Sequence, residues 1–92
     1  MSKEIYVEHS VSPAKLDVVG VYDWLTWKKE ISTFDWEYNQ QETCYIVKGA
    51  FTVTPEGGEP QSFKRGDLIT FPEGLKCTWN ITKAVEKYYD YQ

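Results

Sequence analysis

Glu42 is the residue of this chain whose side chain is most able to do chemistry. In the segment E-T-C-Y-I, residues 42–46, strand alternation places Glu42, Cys44 and Ile46 on one face. A carboxylate that begins an apolar, inward-facing row is costly unless it is hydrogen-bonded or solvated. We therefore expect Glu42 to border a wet, polar-lined cavity, where it could act as a general acid or base. A purely structural hydrogen-bond network is the alternative.

The aromatic residues that precede Glu42 are predicted to line the same interior. In F-D-W-E-Y, residues 34–38, Trp36 and Tyr38 share one face and the two acidic residues share the other. The rings could present flat surfaces to a ligand, or they could simply fill the interior. A buried Tyr38 hydroxyl needs a hydrogen-bond partner, and Glu42 is the predicted acceptor.

Cys77 and Trp79 form a second inward-facing pair, because C-T-W-N-I, residues 77–81, alternates in the same way. The Cys77 thiol is a poor candidate nucleophile, since the only histidine, His9, has no evident route to the interior. We expect His9 to lie at the surface or at an interface. Cys44 and Cys77 are expected to be free thiols and not a disulfide.

Strands must position these side chains. Ser12 and Pro13 predict a helix of one or two turns near the start of the chain. After it, short stretches rich in β-branched and aromatic residues alternate with Gly, Pro or Asn, which is typical of an antiparallel barrel or sandwich. Residues 55–60 and 64–67 are predicted turns. Because no linker or repeat interrupts this pattern, we expect residues 1–92 to form a single all-β domain.

Charge and composition argue against two classes of partner. The net charge of -4 and the pI near 4.9 disfavour nucleic acid, whose backbone would be repelled. No stretch approaches the roughly 18 apolar residues of a membrane span, and the start has no apolar signal core, so we expect a cytoplasmic protein. Residues 5–9 predict a strand, and open strand edges favour a homodimer.

Two spaced motifs resemble those of the cupin superfamily. Glu42 and Gly49 frame E-T-C-Y-I-V-K-G, while Gly66, Pro72 and Gly74 frame G-D-L-I-T-F-P-E-G. More closely, the chain resembles the small single-domain cupins related to the ureidoglycine aminohydrolase cupin domain. The resemblance implies a jelly-roll barrel, the double-stranded β-helix of RmlC-like proteins.

The resemblance also bears on metal binding. Where cupins usually carry metal-binding histidines, this chain has Trp36, Tyr38 and Cys77. Of the usual ligands only the glutamate, Glu42, is matched, which implies that the typical cupin metal site is lost and that no cofactor is needed. A thiol is a good ligand for a soft metal, so Glu42 and Cys77 remain a poor candidate zinc site.

Three functions are compatible with these residues. The preferred one is a metal-free barrel that binds an unknown small molecule, with contacts from Trp36, Tyr38, Glu42, Cys77 and Trp79. The second is an enzyme similar to ureidoglycine aminohydrolase or to a cupin isomerase, with Glu42 as the acid or base. The third is a structural or regulatory interaction module with a filled barrel, which predicts that the interior has no cavity.

Overall fold

Antiparallel strands make up most of the structure, a computed structural model that describes residues 4–91. The strands are β1 (Tyr6–Glu8), β2 (Leu25–Lys29), β3 (Ser32–Glu37), β4 (Glu42–Pro55), β5 (Gln61–Lys64), β6 (Leu68–Phe71) and β7 (Lys76–Tyr91). A single α-helix, α1 (Pro13–Val19), and a 3-10 turn at Val21–Asp23 lie between β1 and β2. The expectation of an all-β fold with one short helix near the start is confirmed.

The two longest strands, β4 and β7, organise the sheet. They pair along most of their length, from Glu42 opposite Tyr91 to Pro55 opposite Cys77. The main path of the sheet is β1-β6-β4-β7-β2, while β3 pairs with β7 and β5 pairs with β4. Strand β7, which carries Cys77 and Trp79, therefore holds β3 with Trp36 and β4 with Glu42, as well as β2.

The predicted local signals appear where the sequence placed them. The Ser12 hydroxyl accepts a hydrogen bond from the Lys15 N–H at 3.3 Å, and Gly20 ends α1 with a positive φ of 84°. The predicted turns at residues 55–60 and 64–67 join β4 to β5 and β5 to β6. Local turn chemistry thus sets the spacing of the strands.

The N-terminal strand pairs within the chain. Strand β1 lies antiparallel to β6, and His9 just beyond it places Nδ1 2.7 Å from Oδ1 of the buried Asp67. The His9 side chain is 61% exposed, so the expectation of a surface position is confirmed. The homodimer stays a prediction.

Stacked aromatic rings fill much of the core. The ring centroids of Trp79 and Phe51 are 4.2 Å apart, and those of Tyr38 and Phe71 are 4.7 Å apart. Both pairs are stacked with their rings nearly parallel. Cys44 and Cys77 are both buried and both free, as expected. No helix among residues 4–91 is long and apolar enough to cross a membrane.

Candidate functional site

A cavity of about 170 Å³ lies among β2, β3, β4 and β7. An adjoining hollow of about 160 Å³ shares Trp36, Tyr38, Glu42 and Tyr91 with it. Trp36 and Tyr91 are 45% and 44% exposed, so these two rings form the rim through which the cavity meets solvent. The cavity is lined by Trp27, Phe34, Trp36, Tyr38, Glu42, Trp79, Lys87, Tyr89 and Tyr91.

Four of the five candidate binding residues meet at this cavity. Tyr38, Glu42 and Trp79 are almost fully buried in its wall, and Trp36 stands at the rim. The prediction that Glu42, Cys44 and Ile46 form an inward-facing row is confirmed, since all three are buried. Strand alternation therefore identified the inward face of these strands, and the folding of the sheet brings four of the five side chains together.

The sequence analysis missed Trp27, Tyr89 and Tyr91 of the cavity wall, and it also missed the cationic residue there, Lys87. Its ammonium donates a hydrogen bond to Oε2 of Glu42 at 2.7 Å, and the two side chains are only 7% and 4% exposed. Glu42 begins β4 and Lys87 lies on β7, so the paired long strands bring the two charges together. The buried carboxylate is thus compensated by an ion pair in the cavity wall.

Aromatic rings surround the Lys87 ammonium. Its nitrogen lies 4.8 Å from the ring centroid of Trp27, 5.0 Å from that of Trp79 and 5.7 Å from that of Tyr89. Each distance falls within the range of a cation–π contact. These rings, together with the Glu42 carboxylate, form the ammonium cage, and the chain's own lysine already occupies it.

Within residues 4–91, two buried polar groups on residues of the cavity wall have no hydrogen-bond partner. They are the hydroxyl of Tyr38 and the indole Nε1–H of Trp79. The expectation that Glu42 accepts from Tyr38 is therefore wrong, because the carboxylate instead pairs with Lys87. Burial raises the pKa of the Tyr38 phenol well above its usual range, and the charges of Cys44 and Glu42 add to the rise. The phenol is accordingly a neutral hydroxyl at physiological pH.

The turn after β6 fixes the position of Tyr38. The Tyr38 N–H donates to the Leu75 carbonyl at 2.9 Å, and the Gly74 N–H donates to the Tyr38 carbonyl at 2.6 Å. Gly74 has a φ of 83°, which favours glycine at that position. Both backbone groups of Tyr38 are therefore tied to the turn, and its ring stacks against Phe71.

Cys77 is buried as predicted but does not line this cavity. Its thiol contacts the Trp36 carbonyl at 3.6 Å, and it borders a separate surface groove of about 640 Å³ beside the turn at residues 55–58. Burial raises the pKa of the Cys77 thiol to about 11, with Asp35 contributing. The larger groove is a wide surface depression, whereas the smaller cavity is lined by the buried ion pair and by the residues that carry the unpartnered polar groups, so we assign the candidate site to the smaller one.

The donor set at the cavity does not suit a transition metal. Glu42 is the one acidic residue in its wall, and that carboxylate already pairs with the Lys87 ammonium. A second cation beside Lys87 would meet electrostatic repulsion. Within the part of the chain that the structure describes, no group of three or more His, Cys, Asp or Glu residues is arranged to hold a metal ion.

Comparisons with known proteins place this geometry in a wider context. A DUF861-family protein from Thermotoga maritima is 43% identical, with a TM-score of 0.92 over 97% of this chain and 100% of that one. A putative ethanolamine utilization protein Q from Salmonella typhimurium is 25% identical, with a TM-score of 0.63 over 70% of this chain and 51% of that one. No curated protein sequence matches significantly.

A second EutQ structure extends the likeness along the chain. The EutQ protein of Clostridium difficile is 23% identical, with a TM-score of 0.63 over 98% of this chain and 69% of that one, which shows a shared fold. The family model described as the EutQ-like cupin domain matches residues 16–89, which include the complete cavity wall apart from Tyr91. The chain therefore belongs to the EutQ-like cupin domain family.

Proposed function

We propose that the chain binds a small molecule in the cavity between β2, β3, β4 and β7, and that binding does not use a metal. The observation that carries this proposal is the pair of buried, unpartnered polar groups on Tyr38 and Trp79. In folded proteins nearly all such groups have a protein, water or ligand partner. A bound molecule would supply the missing partner.

The presence of a cavity favours this function over a filled interaction module. A filled barrel predicts no interior space, whereas this one has a cavity of about 170 Å³ with an aromatic wall. The enzyme alternative requires Glu42 to exchange a proton with a substrate. The Glu42 carboxylate instead already accepts a hydrogen bond from the Lys87 ammonium at 2.7 Å, and a substrate would have to compete with that contact. That alternative retains a simple test, because turnover must then disappear in Glu42→Gln.

The four tryptophans provide a direct test by nuclear magnetic resonance. Trp27, Trp36 and Trp79 line the cavity and Trp24 does not, so its indole N–H signal is an internal control. Titration of ¹⁵N-labelled protein with a panel of small metabolites in the presence of a chelator should shift the three cavity signals saturably and leave Trp24 in place. Ethanolamine belongs in the panel because two related structures are named for EutQ.

Two results would contradict the proposal. One is a complete screen in which no compound moves the cavity signals at millimolar concentration. The other is binding that disappears when the chelator is added, since this would place a metal in the site. Single Trp→Phe substitutions assign the signals beforehand and leave each site aromatic.

A further inference from the structure

We propose that the ligand is an uncharged, single-ring molecule whose carbonyl oxygen accepts hydrogen bonds from the Tyr38 hydroxyl and the Trp79 indole N–H. This inference rests on the proposed function and narrows it to one class of ligand. Three features of the cavity support it: the inventory of donors, the charges in the wall, and the size of the space.

The unsatisfied groups of the wall are donors. The indole of Trp79 can only donate a hydrogen bond, and the Tyr38 hydroxyl can donate one. The Trp79 N–H lowers the pKa of the Tyr38 phenol and that of the Cys77 thiol, so it lies near both groups, although its geometry makes no hydrogen bond with either one. A carbonyl oxygen has two lone pairs, so one oxygen placed between these groups satisfies both.

The charges in the wall argue against a cationic ligand. A cation would seek the faces of Trp27, Trp79 and Tyr89 and the Glu42 carboxylate, yet the Lys87 ammonium already occupies this cage. A cationic ligand would therefore have to displace a buried ion pair.

An anionic ligand is disfavoured for the complementary reason. Glu42 neutralises Lys87 at 2.7 Å, and no other charged side chain among residues 4–91 lines the cavity. A carboxylate entering this space would lose its hydration without gaining an uncompensated cation. An uncharged acceptor avoids this cost, and the two neutral donors are sufficient to hold it.

The size and shape of the cavity select a single flat ring. Its volume is about 170 Å³, and an apolar cavity of about 150 Å³ accommodates one benzene molecule. Most of the wall consists of aromatic side chains, against which a planar ring can stack. A larger fused ring system would have to extend past Trp36 and Tyr91 into the adjoining hollow.

Four probes of similar size separate these requirements. They are 2-pyridone, which is a neutral ring with a carbonyl oxygen; toluene, which lacks an acceptor; benzoate, which is anionic; and benzylammonium, which is cationic. We expect 2-pyridone to bind at least about tenfold more tightly than the other three, since two hydrogen bonds are at stake. Its binding should also shift the Trp79 indole proton downfield, as expected for a new hydrogen bond, while the Trp24 signal stays in place.

A matched pair of variants tests the contribution of the hydroxyl. Tyr38→Phe removes one donor and keeps the ring, so it should weaken 2-pyridone binding about threefold to tenfold and leave toluene binding unchanged. Tyr22→Phe is the control, because Tyr22 is 53% exposed and does not line the cavity. Both variants retain the parent ring, so both are expected to fold.

The outcomes distinguish this inference from the proposed function. If toluene, benzoate or benzylammonium binds as tightly as 2-pyridone, the inference is wrong and the cavity still binds small molecules. Equal 2-pyridone affinity in Tyr38→Phe and the parent protein would also overturn the inference. If no probe and no metabolite moves the cavity signals, both proposals fail together.

Discussion

Removing the Lys87 ammonium is the most informative perturbation of this protein, because it leaves the buried Glu42 carboxylate without its partner. At an effective dielectric constant of about 20, unit charges 2.7 Å apart attract by about 6 kcal/mol. Much of this attraction is offset by the cost of desolvating both ions, so the pair contributes little net stability. Lys87→Met removes the attraction but keeps the desolvation of Glu42. We expect it to lower the free energy of unfolding by about 3–5 kcal/mol.

Urea unfolding followed by tryptophan fluorescence and circular dichroism measures this loss. The double variant Lys87→Met with Glu42→Gln should be about 2 kcal/mol or more stable than Lys87→Met alone, since it leaves no unpaired charge. Lys28→Met is the matched control. The Lys28 ammonium lies 3.7 Å from a carboxylate oxygen of Glu86 at the surface, and its side chain is 75% exposed. That control should cost less than about 1 kcal/mol.

Two results would refute the reasoning. If Lys87→Met costs no more than Lys28→Met, the Glu42–Lys87 pair is hydrated and is not a buried ion pair. If the double variant loses as much unfolding free energy as Lys87→Met and Glu42→Gln lose in total, Glu42 and Lys87 do not interact energetically. A Lys87→Met protein that fails to fold, beside a double variant that folds, would still demonstrate the coupling.

Three further predictions concern the strands and the buried polar groups. Gly49→Ala should lower the free energy of unfolding, measured in urea, by at least about 2 kcal/mol, because a Cβ at its φ of 101° would overlap the facing backbone. Gly57→Ala is the control: its Cβ would point into open space, so it should lower the free energy of unfolding by about 1 kcal/mol. Burial raises the pKa of the Cys44 thiol from 9.0 to about 12 and that of Cys77 from 9.0 to about 11, so the unfolded chain loses these protons first. The free energy of unfolding should therefore fall as the pH rises from 9 toward 12, by up to about 1.4 kcal/mol per pH unit for each thiol. Cys44→Ala should make this dependence on pH less steep. An equally steep dependence in Cys44→Ala would show that the Cys44 thiol does not have the raised pKa. Tyr38→Phe should leave the unfolding free energy unchanged or raise it by about 1 kcal/mol, and a clear loss would show that the hydroxyl has a partner in the ligand-free protein.

The fold was readable from the sequence because its signals are local. Local sequence determines the conformation of the turns at residues 55–60 and 64–67 and of the helix cap at Ser12. The ends of the strands next to these turns could therefore be predicted as well. Inward faces were equally readable within single strands, which is why the burial of Tyr38, Glu42 and Trp79 was predictable, whereas Trp36 is 45% exposed at the rim and not inside as expected. Alternation also predicted the burial of Cys77 correctly, but it does not say toward which end of the sheet a buried side chain lies.

Lys87, the cation of the buried ion pair, was not predicted, for a physical reason. A lysine on a strand is usually assigned to solvent, and only the pairing of β4 with β7 shows that Lys87 faces Glu42. The alternation of Trp79 and Ile81 does not settle the point either, because it next meets Lys83, which is exposed, before it reaches Val85 and Lys87, which are buried.

The position of β7 has a consequence for how the polypeptide acquires its structure on the ribosome. Strands β2, β3 and β4 precede residues 76–91 in the chain, yet each of them uses those residues as a hydrogen-bonding neighbour. Pairing over such sequence separations is slow, and until it occurs the earlier strands expose unpaired edges. The candidate site therefore cannot form until β7 has emerged, whereas the pairs β1–β6, β6–β4 and β4–β5 do not depend on it.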